Sequence, residues 1–151
     1  MDGTGARAYN VAMGYRAMGS GNTQNNIAGD ENVFIGAYSG NGTWVTAASN
    51  GNTAVGYQSM QGALNGATIN TAVGKSALGA LTTGDNNTAI GALSLDAITT
   101  SSNNTAVGYN ALTNNGDSYN NVAIGKDAGG TITNTGGLNT VIGTSADVST
   151  G

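Results

Sequence analysis

Polar, small and large apolar residues follow one fixed order eight times along this chain: Asn, then Thr or Val, then two apolar residues, then Gly. The copies are NVAMG at 10–14, NVFIG at 32–36, NTAVG at 52–56 and 70–74, NTAIG at 87–91, NTAVG at 104–108, NVAIG at 121–125 and NTVIG at 139–143. Successive Asn positions are separated by 22, 20, 18, 17, 17, 17 and 18 residues, so the middle is regular and the N-terminal third carries insertions at 19–31 and 40–51. A weaker box follows each Gly: two free positions, a small residue, then often a large apolar one, as in YRAM at 15–18, YQSM at 57–60 and YNAL at 109–112. In the last two copies it decays to Ala128-Gly129 and Ala146-Asp147.

Each column has a physical reading. The fourth anchor position is always a large apolar residue, from Met13 and Ile35 to Ile124 and Ile142. The third is small in six copies, with Phe34 and Val141 as exceptions. Side chains alternate between the faces of a strand, so one face carries the Val/Ile column and the other the Ala column. Two apolar faces are the mark of a strand covered on both sides. The coil interior is expected to hold one Val or Ile, one Leu or Met and some Ala. The Ala-bearing face then needs a cover, which points to lateral association through closely approaching backbones. The invariant Gly (Gly56, Gly74, Gly91, Gly108, Gly125 and Gly143 in the regular part) marks a bend with φ > 0 or a close backbone neighbour. The Asn column, including Asn52, Asn70, Asn87, Asn104, Asn121 and Asn139, predicts stacked amides bonded from one coil to the next.

Helix is disfavoured, because Gly, Asn, Thr and Val are poor helix formers and the apolar residues show no 3.6 period. Two short strands and two turns in about 17 residues make one solenoid coil. The prediction is an all-β protein: a parallel β-roll or β-helix of about eight coils, one domain over 1–151. Coils stacked about 4.8 Å apart would give a rod of roughly 40 Å. Neither terminus reads as a cap, which predicts a segment of something longer.

Composition narrows the function. The 26 glycines and 8% charged residues raise disorder as a first hypothesis. A net charge of only −4 and apolar residues in register argue against it. With no cysteine and no histidine, thiolate chemistry, disulfides and the commonest general base are gone, and no metal site, cofactor or catalytic set is expected. Four basic residues neutralise few phosphates, which disfavours nucleic acid as a partner. No apolar run approaches the ~20 residues of a membrane span. The opening MDGTGARAYN lacks an apolar stretch that would serve as a secretion leader, so export by such a leader is not expected.

Candidate contact residues remain. The position after each Gly accepts Tyr15, Tyr57 and Tyr109 but also Lys75 and Thr144, so it faces solvent, where Tyr either stacks on a sugar ring or covers apolar surface. The second insertion holds Trp44, the only tryptophan, beside Asn41 and Thr43. An exposed Trp44 there would suit a saccharide, and a buried one would cap the stack or meet a neighbouring subunit. Asp30-Glu31 is the only adjacent acidic pair, and it reads as a solvated turn, not as a glycosidase or calcium site. Stacking of coils could bring Asp85, Asp96 or Asp117 near each other. The glycosylation patterns at Asn41, Asn86 and Asn103 are what chance gives in so Asn- and Thr-rich a chain.

Taken together, the boxes resemble two families. NVAIG at 121–125 is similar to the boxes of trimeric autotransporter adhesin heads. The run 70–112, NTAVGKSALGALTTGDNNTAIGALSLDAITTSSNNTAVGYNAL, resembles more closely the repeat arrays of bacteriophage tail-fibre and related virion fibre proteins. The likeness covers roughly 8–146. It implies a homotrimeric fibre on a virion or bacterial cell surface, extracellular, that attaches to a host glycan or protein. Adhesin heads keep a shorter repeat, with Ser where this chain has Asn; the longer step and the expected lack of a secretion leader favour the phage-type fibre over the adhesin head. Minor alternatives are a depolymerising tailspike and an ice-binding solenoid, the latter drawn from the Thr column at Thr53, Thr71, Thr88 and Thr105.

Overall fold

The computed structural model describes residues 9–19, 29–44, 47–114, 116, 118–132 and 137–148. Most of the 19–31 insertion and Asp117 therefore lie outside the described residues. Among the described residues are eight three-residue strands: β1 (Val11–Met13), β2 (Val33–Ile35), β3 (Thr53–Val55), β4 (Thr71–Val73), β5 (Thr88–Ile90), β6 (Thr105–Val107), β7 (Val122–Ile124) and β8 (Thr140–Ile142). They form one parallel sheet in sequence order. Equivalent residues pair directly, so Ala54, Ala72, Ala89 and Ala106 stand in line. The fold is an all-β solenoid, with no helix among the described residues.

Two expectations need correction. The first is the second strand of each coil: among the described residues there is one strand per repeat, followed by turns. The reason is backbone conformation. The residue two after each anchor Gly has positive φ, as at Arg16, Gln58, Ser76, Asn110 and Asp127. So, except after Gly143, does the residue four after it, as at Met18, Met60, Leu78, Leu95 and Leu112. A left-handed leucine costs about 1–2 kcal/mol. Its side chain is thereby turned inward, and full burial of a Leu returns about 1.5–3 kcal/mol. Leu78, Leu95 and Leu112 are all completely buried.

The second correction concerns which apolar column is inside. Ala54, Ala72, Ala89, Ala106 and Ala123 are fully buried, while Val73, Ile90 and Ile124 remain 38%, 42% and 40% exposed. The Ala column lines the core, and the Val/Ile column faces out. The coil is too narrow for two large residues across from each other. Ala fits opposite the Met/Leu column, and a third inward column of Leu64, Leu81 and Ile98 completes the filling. The exception makes the same point. Where Gly40 takes the place of the Leu, the Ala position holds Phe34, and a Cβ on Gly40 would collide with the Phe34 ring. Lateral packing therefore cannot run through the Ala column.

The turn after each strand depends on the stacked glycines. Gly56, Gly74, Gly91 and Gly108 have φ between 135° and 139°. A Cβ on Gly56 would lie 2.5 Å from the carbonyl oxygen of Gly74, and one on Gly91 would meet the carbonyl oxygen of Gly108 in the same way. Any side chain there collides with the next rung's backbone as well as straining its own.

The eight Asn residues form the expected ladder. The Oδ1 of each accepts the backbone N–H of the next Asn at 2.8–3.1 Å. It also accepts that residue's Nδ2 at 2.9–3.3 Å. From Asn10 to Asn104 the same Nδ2 donates across the coil to the carbonyl three residues before the next Asn, at 2.8–3.1 Å. The amide thus extends the axial ladder by one residue and closes the coil at its seam. Asn32, Asn52, Asn70, Asn87, Asn104 and Asn121 are fully buried, so each bond replaces one to water.

Three substitutions test these features by chemical denaturation. Gly91→Ala should lower stability by about 3 kcal/mol or more, strain and overlap combined. Asn87→Ala leaves the Asn104 N–H and the Ser101 carbonyl without partners and should cost about 3 kcal/mol, against about 1 kcal/mol for Asn10→Ala at the half-buried end. Ile69 is β-branched, 65% exposed and held at φ 57°, where the equivalent residues Asn86, Asn103 and Asn120 are asparagines. Ile69→Asn should raise stability by about 1 kcal/mol.

Candidate functional site

With Ala turned inward, every strand presents its first and third residues outward. The first-residue column runs Val33, Thr53, Thr71, Thr88, Thr105 and Val122. Beside it runs Ile35, Val55, Val73, Ile90, Val107 and Ile124. The terminal strands extend both columns, with Val11 at 48%, Met13 at 63% and Ile142 at 68% exposure. The result is one continuous face of side chains without a charge, β-branched throughout except at Met13. A contiguous apolar face of this kind on a protein surface marks an interaction site.

A second outward feature is the corner just past the anchor glycines. There the N–H of the residue two after Gly donates to the carbonyl one after the preceding Gly. These bonds run from Tyr38 to Tyr15, Gln58 to Ala37, Ser76 to Tyr57, Leu93 to Lys75, Asn110 to Ala92 and Asp127 to Tyr109, at 2.9–3.0 Å. The corner is therefore a rigid backbone ladder. The sequence placed Tyr15, Tyr57 and Tyr109 on it, and all three are exposed, at 65%, 46% and 50%. Sequence reasoning missed Tyr38, which sits between Tyr15 and Tyr57 and meets both edge to face, at centroid distances of 5.4 and 6.0 Å. Tyr38 falls one position later in its repeat, and only the rung-to-rung offset of the ladder brings it into line.

The cations gather at the same corner. Arg16, Lys75 and Lys126 are the basic residues among those described, and all three lie one or two positions after an anchor Gly. Arg16 stands 5.8 Å from the centre of the Tyr15 ring, and Lys126 stands 5.9 Å from that of Tyr109. Lys126 is paired with Asp127. Their mutual hydrogen bond raises the ammonium above its ordinary pKa and lowers the carboxyl, to which Asn110 also donates. Both groups are open to water, so the pair contributes little to stability.

The remaining candidates fall elsewhere. Trp44 is a correction to the exposed ring that a saccharide role requires. It is 7% exposed, packs edge to face on Phe34 at 5.6 Å, and donates its indole N–H to the Gly40 carbonyl at 3.1 Å. It fills the volume that Gly40 leaves, as part of the core. Asn41 is half-buried and Thr43 exposed nearby. Glu31 is exposed in a turn at φ 63°, and the Asp30 N–H donates to Asn50 Oδ1 at 2.7 Å. Asp85 accepts the N–H and hydroxyl of Thr68 at 2.7 and 2.9 Å, and Asp96 accepts the Thr113 hydroxyl at 2.6 Å. These carboxylates extend side-chain ladders along the axis. Among the described residues no group of three or more acidic, His or Cys side chains is arranged to hold a metal ion.

Set against protein-family models, curated proteins and solved structures, the chain matches none of them.

Proposed function

We propose that this chain is a structural and attachment segment of a homotrimeric fibre, displayed on a virion, whose role is mechanical and adhesive and not catalytic. The observation that carries the reading is the outward Thr/Val and Val/Ile face. Among the described residues no second layer covers that face, and equivalent faces of neighbouring copies are alike in shape and polarity. Packing three such faces about a common axis would bury the columns along the full length of the rod. The number three, the virion and the attachment role rest on the resemblance of the repeat to phage fibre arrays. The step of about 17 residues, longer than an adhesin head's, favours that assignment over an adhesin head.

One observation also favours a second reading. Thr71, Thr88 and Thr105 stand in register beside Val73, Ile90 and Val107 on a single sheet face. An array of hydroxyl and methyl groups at regular spacing is the kind of surface an ice-binding protein presents. Thermal hysteresis in the purified protein would favour ice binding, and its absence would leave the fibre.

Sedimentation equilibrium tests the assembly. The expected mass is three times the 14.8 kDa of one chain. Ile90→Lys with Val107→Lys places charges in the middle of the face and should give a folded monomer. A wild-type chain that sediments at 14.8 kDa would contradict the trimer. Release of reducing ends from host polysaccharide by the wild-type chain would contradict the non-catalytic role.

A further inference from the structure

We infer that the aromatic corner from Tyr15 to Tyr57 is a binding track for an acidic polysaccharide. The inference rests on the attachment reading and adds the ligand's chemistry and its site. Three features converge on this corner. Tyr15, Tyr38 and Tyr57 form an unbroken row, exposed at Tyr15 and Tyr57 and half-buried at Tyr38, in which successive rings are turned by 81° and 85°. Tyr15 and Tyr57, the two exposed rings, stand two rungs apart, about 9.6 Å along the axis. That spacing is close to the length of one extended disaccharide, so every second sugar of a chain lying along the rod would meet a ring.

Charge supplies the second feature. Arg16 flanks the row at one end, and Lys75 follows Tyr57 in the same column at the other. Neither takes part in an ion pair among the described residues. The protein as a whole carries −4, so general electrostatics repel a polyanion, and an attraction has to come from this corner. Placed at the two ends of an aromatic row, a guanidinium and an ammonium suit carboxylate or sulfate groups spaced along a polymer. A neutral glycan would leave both cations unused.

The third feature is rigidity. The carbonyls of Tyr15 and Tyr57 accept N–H groups from the next rung, so the track is fixed before any ligand arrives. A preorganised surface loses little entropy on binding an extended chain.

Affinity electrophoresis of the full chain tests the proposal, in gels containing polygalacturonate, hyaluronan or heparin, with dextran and methyl-esterified polygalacturonate as neutral controls. At least one anionic polymer should retard the protein, and the neutral ones should not. Tyr15→Ser and Tyr57→Ser should each weaken the interaction about tenfold. Arg16→Gln with Lys75→Gln should weaken it and flatten its dependence on salt. All four positions are at the surface, and unchanged thermal midpoints would show that the variants fold. Equal retardation of wild type and the Tyr15→Ser/Tyr57→Ser double variant would reduce the effect to plain charge and overturn the track. So would no retardation by any of the three polyanions. Sedimentation separates the two proposals: a trimer that binds no polyanion sinks only the track, and a monomer that binds one sinks only the fibre.

Discussion

The side-chain amide of one Asn, bonded to its equivalent one rung away, is the interaction on which the rest of this solenoid depends. An anchor Asn needs a partner for its own backbone N–H at the point where the strand ladder begins. The preceding Asn provides it with Oδ1, and takes the next side chain's Nδ2 on the same oxygen. The remaining Nδ2 proton ties down the carbonyl at the coil's seam. A buried amide in this position has every hydrogen bond spoken for, and losing one rung leaves orphaned groups on both sides. The ladder also fixes register. A rung that slipped by one residue would place Thr or a second Asn opposite Asn, and would turn Ala outward and Val inward.

Register in turn explains the composition. When equivalent residues lie directly over one another, each column has to tolerate its own repetition. Glycine at Gly74 and Gly91 tolerates a neighbouring carbonyl where a Cβ does not. Alanine at Ala72 and Ala89 repeats without crowding the leucines across the coil. Charges repeat badly, and the chain has few of them. Phe34 and Gly40 show the rule by exchange, since a large ring enters the Ala column only where the facing Leu has been lost.

Much of this was legible in the letters. The spacing of Asn10 to Asn139 located all eight strands, and the invariance of Asn and Gly named the two axial ladders. Other features were not legible, for identifiable reasons. The usual ranking of burial places valine and isoleucine inside; it fails here because coil width, which no single repeat reveals, admits only alanine beside leucine. The turn that replaces the second strand relies on left-handed Leu78 and Leu95, and local propensity gives no hint of that state. Trp44 read as a loop residue because its partner, Phe34, lies in another column and the void at Gly40 exists only in three dimensions. The tyrosine corner was half visible: Tyr15 and Tyr57 share a column, and Tyr38 joins them through the offset between rungs.

The surfaces that bear on function are those the axial bonding leaves over. One is a charge-free Thr/Val–Ile face, and the other a rigid corner bearing aromatic rings and the described cations. Both exist only if the amides are stacked, and the exchange of the asparagine side-chain protons with deuterated water measures that stacking most directly. In a stacked ladder the Nδ2 protons of Asn70, Asn87 and Asn104 exchange orders of magnitude more slowly than those of Asn86 and Asn103, which neighbour them in sequence but lie exposed. Equal exchange at both sets would mean that the anchor amides face water, and the solenoid described here would be wrong.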